Sequence, residues 1–313
     1  MDSIFAHIKV PLFFVLCLCA HSGCRRRIPW FKTYHTTQLC HTPKLQELPI
    51  VVIVPSYNNR DWYRYNLDSI IRQKYHNFRV YYYDDHSPDG TGNLVETYVK
   101  KQHITNITLI KNKQRRGALA NIWHGISACV PHELVVNLDG DDWLANDHVL
   151  ADINHRYQTN DIWLTYGQFI NWPTGERGWC KPIPPAVIAH NMFRQHGFWF
   201  AQLRTYYAWL AQKINPHDLL DPKTESFYTV AGDAALMFAM VEMAGTHIQY
   251  IDDILYIRNV ATPINDFKCH HDQQIATAQQ IRQQPAYRAL PVAGIPRSNK
   301  PLSTARTSAR LTI

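Results

Sequence analysis

The residues best suited to chemistry are the acidic ones in Leu138-Asp139-Gly140-Asp141-Asp142. Carboxylates one residue apart, at the end of a buried strand, can point the same way and hold a hard divalent cation through oxygen. Such a cation would bridge the two phosphates of a nucleotide leaving group and offset their charge. Taken alone, the same residues read more simply as a tight Asp-Gly turn with solvated carboxylates. They do not stand alone, because Ser56-Tyr57-Asn58 and Asp84-Asp85-His86-Ser87 follow apolar runs in the same way.

Those runs are the elements that must position the polar clusters. Ile50 to Val54, Phe78 to Tyr83, Ile107 to Ile110 and Leu134 to Leu138 are near-continuous apolar stretches, the pattern of strands buried on both faces of a parallel sheet. Helix-length segments lie between them, over 62–73, 92–102 and 118–129. This alternation predicts right-handed crossovers and a doubly wound, mainly parallel α/β sheet with helices on both faces. Ligands of such sheets bind outside the carboxyl ends of the strands, where all three polar clusters fall.

The ordered set Val54-Pro55-Ser56-Tyr57-Asn58, Asp84-Asp85-His86-Ser87-Pro88-Asp89-Gly90-Thr91, Asn112 with Arg116-Gly117-Ala118 and Asn121, and Leu138 to Asp142 resembles the motifs of family 2 glycosyltransferases with the GT-A fold. The resemblance spans residues 49 to about 290. It implies transfer of a sugar from a nucleotide-sugar donor, most simply a UDP-linked one, with inversion at the anomeric carbon and dependence on Mn²⁺ or Mg²⁺. It places Pro55, Tyr57, Asn58 and Asn121 in the nucleotide-sugar site, with the Tyr57 ring against the base. Asp85, or its neighbour Asp84, would accept from the base N–H, and Arg116 would sit by the base or diphosphate. Asp139 would contact the ribose or the metal, and Asp141 would be the principal metal ligand. Each has a plainer reading: Tyr57 as a strand cap, Asp84 to Asp89 as a turn and helix cap, Arg115-Arg116 as a solvated pair.

The same resemblance calls for a general base in the second half of the chain, in an acidic pair opening a helix. Val230-Ala231-Gly232-Asp233-Ala234 occupies that place. Asp233 is therefore the candidate base, with a simple helix N-cap as the other reading, and Gly232 departs from the usual first acidic residue. The segment between metal motif and base is rich in aromatic residues, including Trp163, Trp172, Trp179 and Trp199, and should hold the acceptor. Arg204, in Leu203-Arg204-Thr205-Tyr206, would meet an anionic acceptor or the diphosphate, or else form an ion pair on a helix surface. His270 or His271, after the last strand signal at Ile254 to Arg258, could complete the metal's coordination; a solvated or capping histidine is the alternative.

The chain of 313 residues carries 32 Lys plus Arg against 25 Asp plus Glu, a net charge of +7. The surplus sits at the ends: residues 1–47 hold six basic and two acidic side chains, and 291–313 hold four basic and no acidic ones. The body between them is close to neutral, which argues against a nucleic-acid partner. The expected organisation is an N-terminal apolar anchor or signal segment over 1–47, a catalytic domain over 48–290 and a basic tail over 291–313. Val10 to Ala20 is shorter than a bilayer span and is followed by Arg25-Arg26-Arg27. That order reads as a short membrane anchor with the body on the cytoplasmic side, a cleaved export or lipoprotein signal being the alternative. The acceptor is expected to be a glycan or lipid-linked saccharide of the cell envelope or another surface glycan. Of the seven cysteines four precede the body and the other three are too far apart for a metal framework, and the odd count suggests reduced thiols. The competing function is a GT-A-like module that binds nucleotide sugar or glycan without turnover. Nucleotidyl transfer is disfavoured because Ser56-Tyr57-Asn58-Asn59 lacks the Gly-rich loop it would need.

Overall fold

A computed structural model of the protein describes residues 45–262 and 271–291. Its centre is strand β1 (Ile50–Ser56), buried along its whole length. β1 runs parallel to β2 (Phe78–Asp84) on one side and to β4 (Leu134–Asn137) on the other, and β3 (Ile107–Lys111) lies parallel beyond β2. The crossovers are helices α1 (Tyr63–Ile71), α2 (Thr91–Lys101) and α3 (Ala118–Ser127).

The sheet continues past β4 to eight strands in the order β3-β2-β1-β4-β7-β6-β10-β5. β7 (Arg204–Tyr207) is antiparallel to both β4 and β6 (Leu164–Trp172). The long last strand β10 (Ile248–Asn259) is parallel to β6, and β5 (Trp143–Leu144) pairs antiparallel on the outer edge of β10. A separate two-stranded hairpin joins β8 (Leu220–Asp221) and β9 (Ser226–Phe227).

Strand alternation divides the core in two. Ile50, Val52 and Val54 pack with Tyr63, Leu67 and Ile70 of α1, Val95 of α2 and Val149, Leu150 and Ile153 of α4 (Val149–Thr159). Val51 and Ile53 face the other way, towards Leu119 and Ile126 of α3 and the length of α7 (Gly232–Ala244). The remaining helices are the short α5 (Pro185–Ala189) and α6 (Ala208–Ala211), and the closing α8 (His271–Gln283). α7 is buried on all sides, which explains its apolar sequence, and it carries one buried acid, Glu242.

Glu242 is paired with Arg194 through two bonds, Nε to Oε1 at 2.5 Å and Nη2 to Oε2 at 2.9 Å. Arg194 also donates to the Ile281 carbonyl on α8, and Glu242 accepts the Tyr287 N–H. Leu290 N–H then bonds the Met243 carbonyl. The segment after α8 is thus fastened to the back of α7, the helix whose first turn carries Asp233. Among the described residues no helix is long and apolar enough to cross a membrane. The Val10 to Ala20 run, Arg25 to Arg27 and the basic tail from 292 lie outside the described residues. Cys129 and Cys180 are free and buried, and burial pushes their thiols up to about 12 and about 11.

Candidate active site

The three polar clusters meet at the carboxyl ends of β1, β2 and β4. The acidic turn is seated by backbone contacts: Gly140 N–H donates to the Pro55 carbonyl at 3.0 Å, and Leu138 N–H to the Ile53 carbonyl. Asn66, on the buried face of α1, donates through Nδ2 to the carbonyls of Asp139 (2.9 Å) and Asp142 (2.8 Å). A side chain at position 140 has no room, because its Cβ would lie 2.6 Å from both Asn59 Nδ2 and Ser56 Cβ. Gly140→Ala should therefore destabilise the protein by about 1–3 kcal/mol and displace the turn, measured by urea denaturation together with nucleotide affinity.

The three aspartates of the turn differ in their bonding. Asp139 Oδ2 accepts from Gln202 Nε2 at 2.8 Å. Asp142 is held inward, its Oδ2 accepting from the Tyr256 hydroxyl at 2.5 Å and its Oδ1 from Asn259 N–H at 2.6 Å. Asp141 is only partly buried. Burial is the first cause that raises all three above the ordinary carboxylate range. The negative charge of Asp139 adds to it at Asp141, which is pushed up to about 6. Arg204 and Arg258 oppose the rise at Asp139.

This raised carboxyl predicts a stability change of known sign. Its folded-state value of about 6 stands above the ordinary value of 3.8, so stability is lost as pH rises through that window and the full cost is present at pH 7.5. Asp141→Asn should stabilise the cation-free protein by about 1–3 kcal/mol at pH 7.5, with the gain vanishing near pH 4. Thermal melts across pH 4–8 check it.

The other clusters knit neighbouring loops together. Asp85 Oδ1 accepts from Asn112 Nδ2 (2.8 Å) and Arg116 N–H (2.9 Å), and Oδ2 from Gly117 N–H (2.8 Å). Burial tends to raise Asp85, but these bonds prevail and lower it. Asn121 Oδ1 accepts from the same Asn112 amide. Asp85 therefore shapes the loop before α3, leaving spare acceptor capacity chiefly on Oδ2. Asp84 lies under α2, where a Cβ on Gly92 would clash with its carboxylate, and burial raises it. Asn58 donates its N–H to Ser87 Oγ, and Asn59 its N–H to Thr91 Oγ1. Asp89 accepts from Thr91 N–H and so serves the start of α2. The guanidinium of Arg115 lies 4.0 Å above the Tyr57 ring, while Arg116 is exposed and is tied to Asp85 through its backbone.

Asp233 opens α7. Its Oδ2 accepts from Arg204 Nη2 at 2.7 Å and its Oδ1 from Ala234 N–H at 2.9 Å. Arg204 is in a buried strand, not on a helix surface, and its Nε donates to the Phe200 carbonyl. Asp233 and Arg204 both act electrostatically on Asp139, which ties the base candidate to the acidic turn. The glycine before Asp233 has a steric reason, since a Cβ on Gly232 would approach Leu119 Cβ to 2.7 Å.

Trp199 is half-buried beside His196, their ring centroids 6.1 Å apart. His271 is the exposed first residue of α8, and His270 lies outside the described residues. Among the described residues no group of three or more His, Cys, Asp or Glu is arranged to hold a metal ion. Asn66, Gln202, Tyr256 and Asn259 form the setting of the turn and were not singled out from the sequence. Asn66 alone left a signal there, as a polar residue on the apolar face of α1.

Comparison with known proteins decides the family: the glycosyl transferase family 2 pattern matches residues 51–214, more than half of the chain. The chain belongs to glycosyl transferase family 2. A dolichyl-phosphate beta-glucosyltransferase of Dictyostelium discoideum is 30% identical over 132 residues, covering 39% of this chain and 40% of the relative. Glycosyltransferase GlyA of Streptococcus pneumoniae is 30% identical over 100 residues, which cover 32% of this chain and 14% of that protein. The chain thus spans less than half of these two relatives. Among solved structures, S. aureus TarS 1-349 in complex with UDP aligns with a TM-score of 0.54 at 18% identity, covering 75% of this chain and 64% of that 1-349 chain. The mannosyltransferase PcManGT of Pyrobaculum calidifontis, in complex with GDP-Man and Mn²⁺, aligns at 0.51 with 19% identity, covering 78% and 70%. Identities this low speak to fold, and the fold of this family 2 member is GT-A.

Proposed function

We propose that this family 2 protein transfers a sugar, with inversion, from a nucleotide-sugar donor to a hydroxyl of a glycan or lipid-linked acceptor in cell-envelope or other surface glycan synthesis. The observation that carries the reading is the convergence of Asp139, Asp141 and the Arg204–Asp233 pair at the carboxyl edge of the sheet. TarS with UDP and PcManGT with GDP-Man support a nucleotide-linked donor, of which a UDP sugar is our first choice. The dolichyl-phosphate enzyme supports a lipid-linked acceptor. The basic ends and the apolar run near the N-terminus support a body held at the cytoplasmic face of a membrane, where each Lys or Arg contributes about 1 kcal/mol on anionic lipid.

In this reading Asp233 takes the proton of the acceptor hydroxyl as that oxygen attacks the anomeric carbon opposite the departing diphosphate. Arg204 and the first turn of α7 fix the carboxylate's direction, and the helix N-terminus favours negative charge there. Asp85 shapes the loop that flanks the nucleoside, and Tyr57 offers a ring face once Arg115 moves aside. The residues present fit a divalent cation: Asp139 and Asp141 are hard oxygen donors whose burial and mutual repulsion a cation would relieve. They form a pair rather than a full cage, so Mn²⁺ or Mg²⁺ would be held jointly by Asp141, Asp139 and the donor. When bound, it offsets the charge of the diphosphate.

Calorimetric titration of the full chain with UDP and GDP, each with and without Mn²⁺, tests the site. Binding of one nucleotide strengthened by Mn²⁺, and weakened at least tenfold in Asp141→Asn, is expected. Equal affinity of wild type and variant would remove the cation from the reading.

A further inference from the structure

Four large rings gather beside the acidic turn without being part of it. Trp62 contacts Trp172 at 5.5 Å between ring centroids and Tyr65 at 6.0 Å, and Trp143 contacts Tyr65 at 5.3 Å and Trp172 at 5.7 Å. The rings are tilted or edge-on to one another, at 32° to 68°. None belongs to the buried core: Tyr65 is 37% exposed and the three tryptophans are partly exposed. A contiguous apolar patch left at the surface marks an interaction site.

The backbone makes this patch continuous with the site. Trp143 directly follows Asp142 on β5. Trp172 ends β6 and is the register partner of Asn259, whose N–H holds Asp142. Trp62 and Tyr65 begin α1, the helix whose Asn66 holds the carbonyls of Asp139 and Asp142. The acidic turn and the rings therefore share their backbone supports. Their contacts with one another set them before a ligand arrives, which lowers the entropic cost of binding.

We propose that Trp62, Tyr65, Trp143 and Trp172 form a carbohydrate-binding rim that takes the saccharide chain of the acceptor next to the transfer site. The apolar face of a pyranose presents C–H groups of partial positive charge, and these match the negative face of an aromatic ring. No charged group is required, so the rim suits a neutral saccharide of two or more units. As an acceptor site it rests on the proposed transfer function; as a glycan-binding site it does not.

The test is affinity electrophoresis of the full chain in native gels containing soluble dextran, galactomannan, xylan or hydroxyethyl cellulose, with no donor present. Retardation by at least one polysaccharide is expected, weakened at least fivefold in Trp172→Ala and Trp62→Ala and largely kept in Trp172→Phe. Thermal melts confirm that each variant is folded. Absence of retardation in every gel, or undiminished retardation of the folded Ala variants, overturns the rim. So does sedimentation with phosphatidylcholine vesicles that the Ala variants lose, because it would make the patch a lipid contact. Sugar transfer without glycan retardation removes the rim alone, and glycan retardation without transfer removes the enzyme reading alone.

Discussion

Asp233→Asn is expected to lower sugar transfer by about 10²–10⁴-fold, the usual contribution of a positioned general base, while nucleotide affinity changes little. The amide keeps the shape of the carboxylate and can still accept from Ala234 N–H, so the first turn of α7 is preserved. What it loses is the capacity to take a proton and the charge that pairs with Arg204 at 2.7 Å. The loss should fall on kcat rather than KM for the donor, because the proposed role of Asp233 is to take the acceptor's proton. Steady-state kinetics beside a nucleotide titration separate the two effects. Retained transfer would move the base elsewhere and leave Asp233 a helix cap.

Glu242→Ala should cost about 3–5 kcal/mol of stability, the typical consequence of removing one partner of a buried ion pair. The side chains of Arg194 and Glu242 are 5% and 0% exposed, so the guanidinium would be left in a dry site without its carboxylate. Tyr287 N–H would lose its acceptor as well, loosening the strap behind α7. For a domain of this size the loss corresponds to a melting temperature lower by about 6–20 °C. The double variant Arg194→Met with Glu242→Leu should recover most of it, since an apolar pair of similar volume avoids the desolvation of two charges. Urea denaturation of both variants distinguishes an ion pair that matters once formed from one whose charge is itself required.

The parallel half of the fold was legible because its strands are near-continuous apolar runs separated by segments of helix length. The antiparallel half was not. β5 has two residues and β7 four, too few for alternation to register, and Arg204 sits in a strand whose sequence gives no such hint. The acidic turn stood out because its residue types and spacing are local properties of the chain, and Asp233 because the family resemblance calls for an acid at the start of a late helix. Their supports did not, because Gln202 and Tyr256 reach Asp139 from 63 and 117 positions away. The glycine at 232, a departure when read from sequence, is explained by the packing of α7 on Leu119. The buried Arg194–Glu242 pair joins two segments 48 positions apart, and only the folded chain brings them together.

The most direct test of inverting sugar transfer at this site is proton NMR of the full chain incubated with Mn²⁺ and α-linked UDP-glucose, UDP-N-acetylglucosamine, UDP-galactose or GDP-mannose. Each reaction includes a soluble oligosaccharide acceptor. The prediction is that one donor is consumed, its nucleoside diphosphate is released, and the new glycosidic signal is that of the inverted anomer, with turnover lost in Asp233→Asn. A product that keeps the donor's anomeric configuration, or no donor consumed by the folded protein, would contradict it.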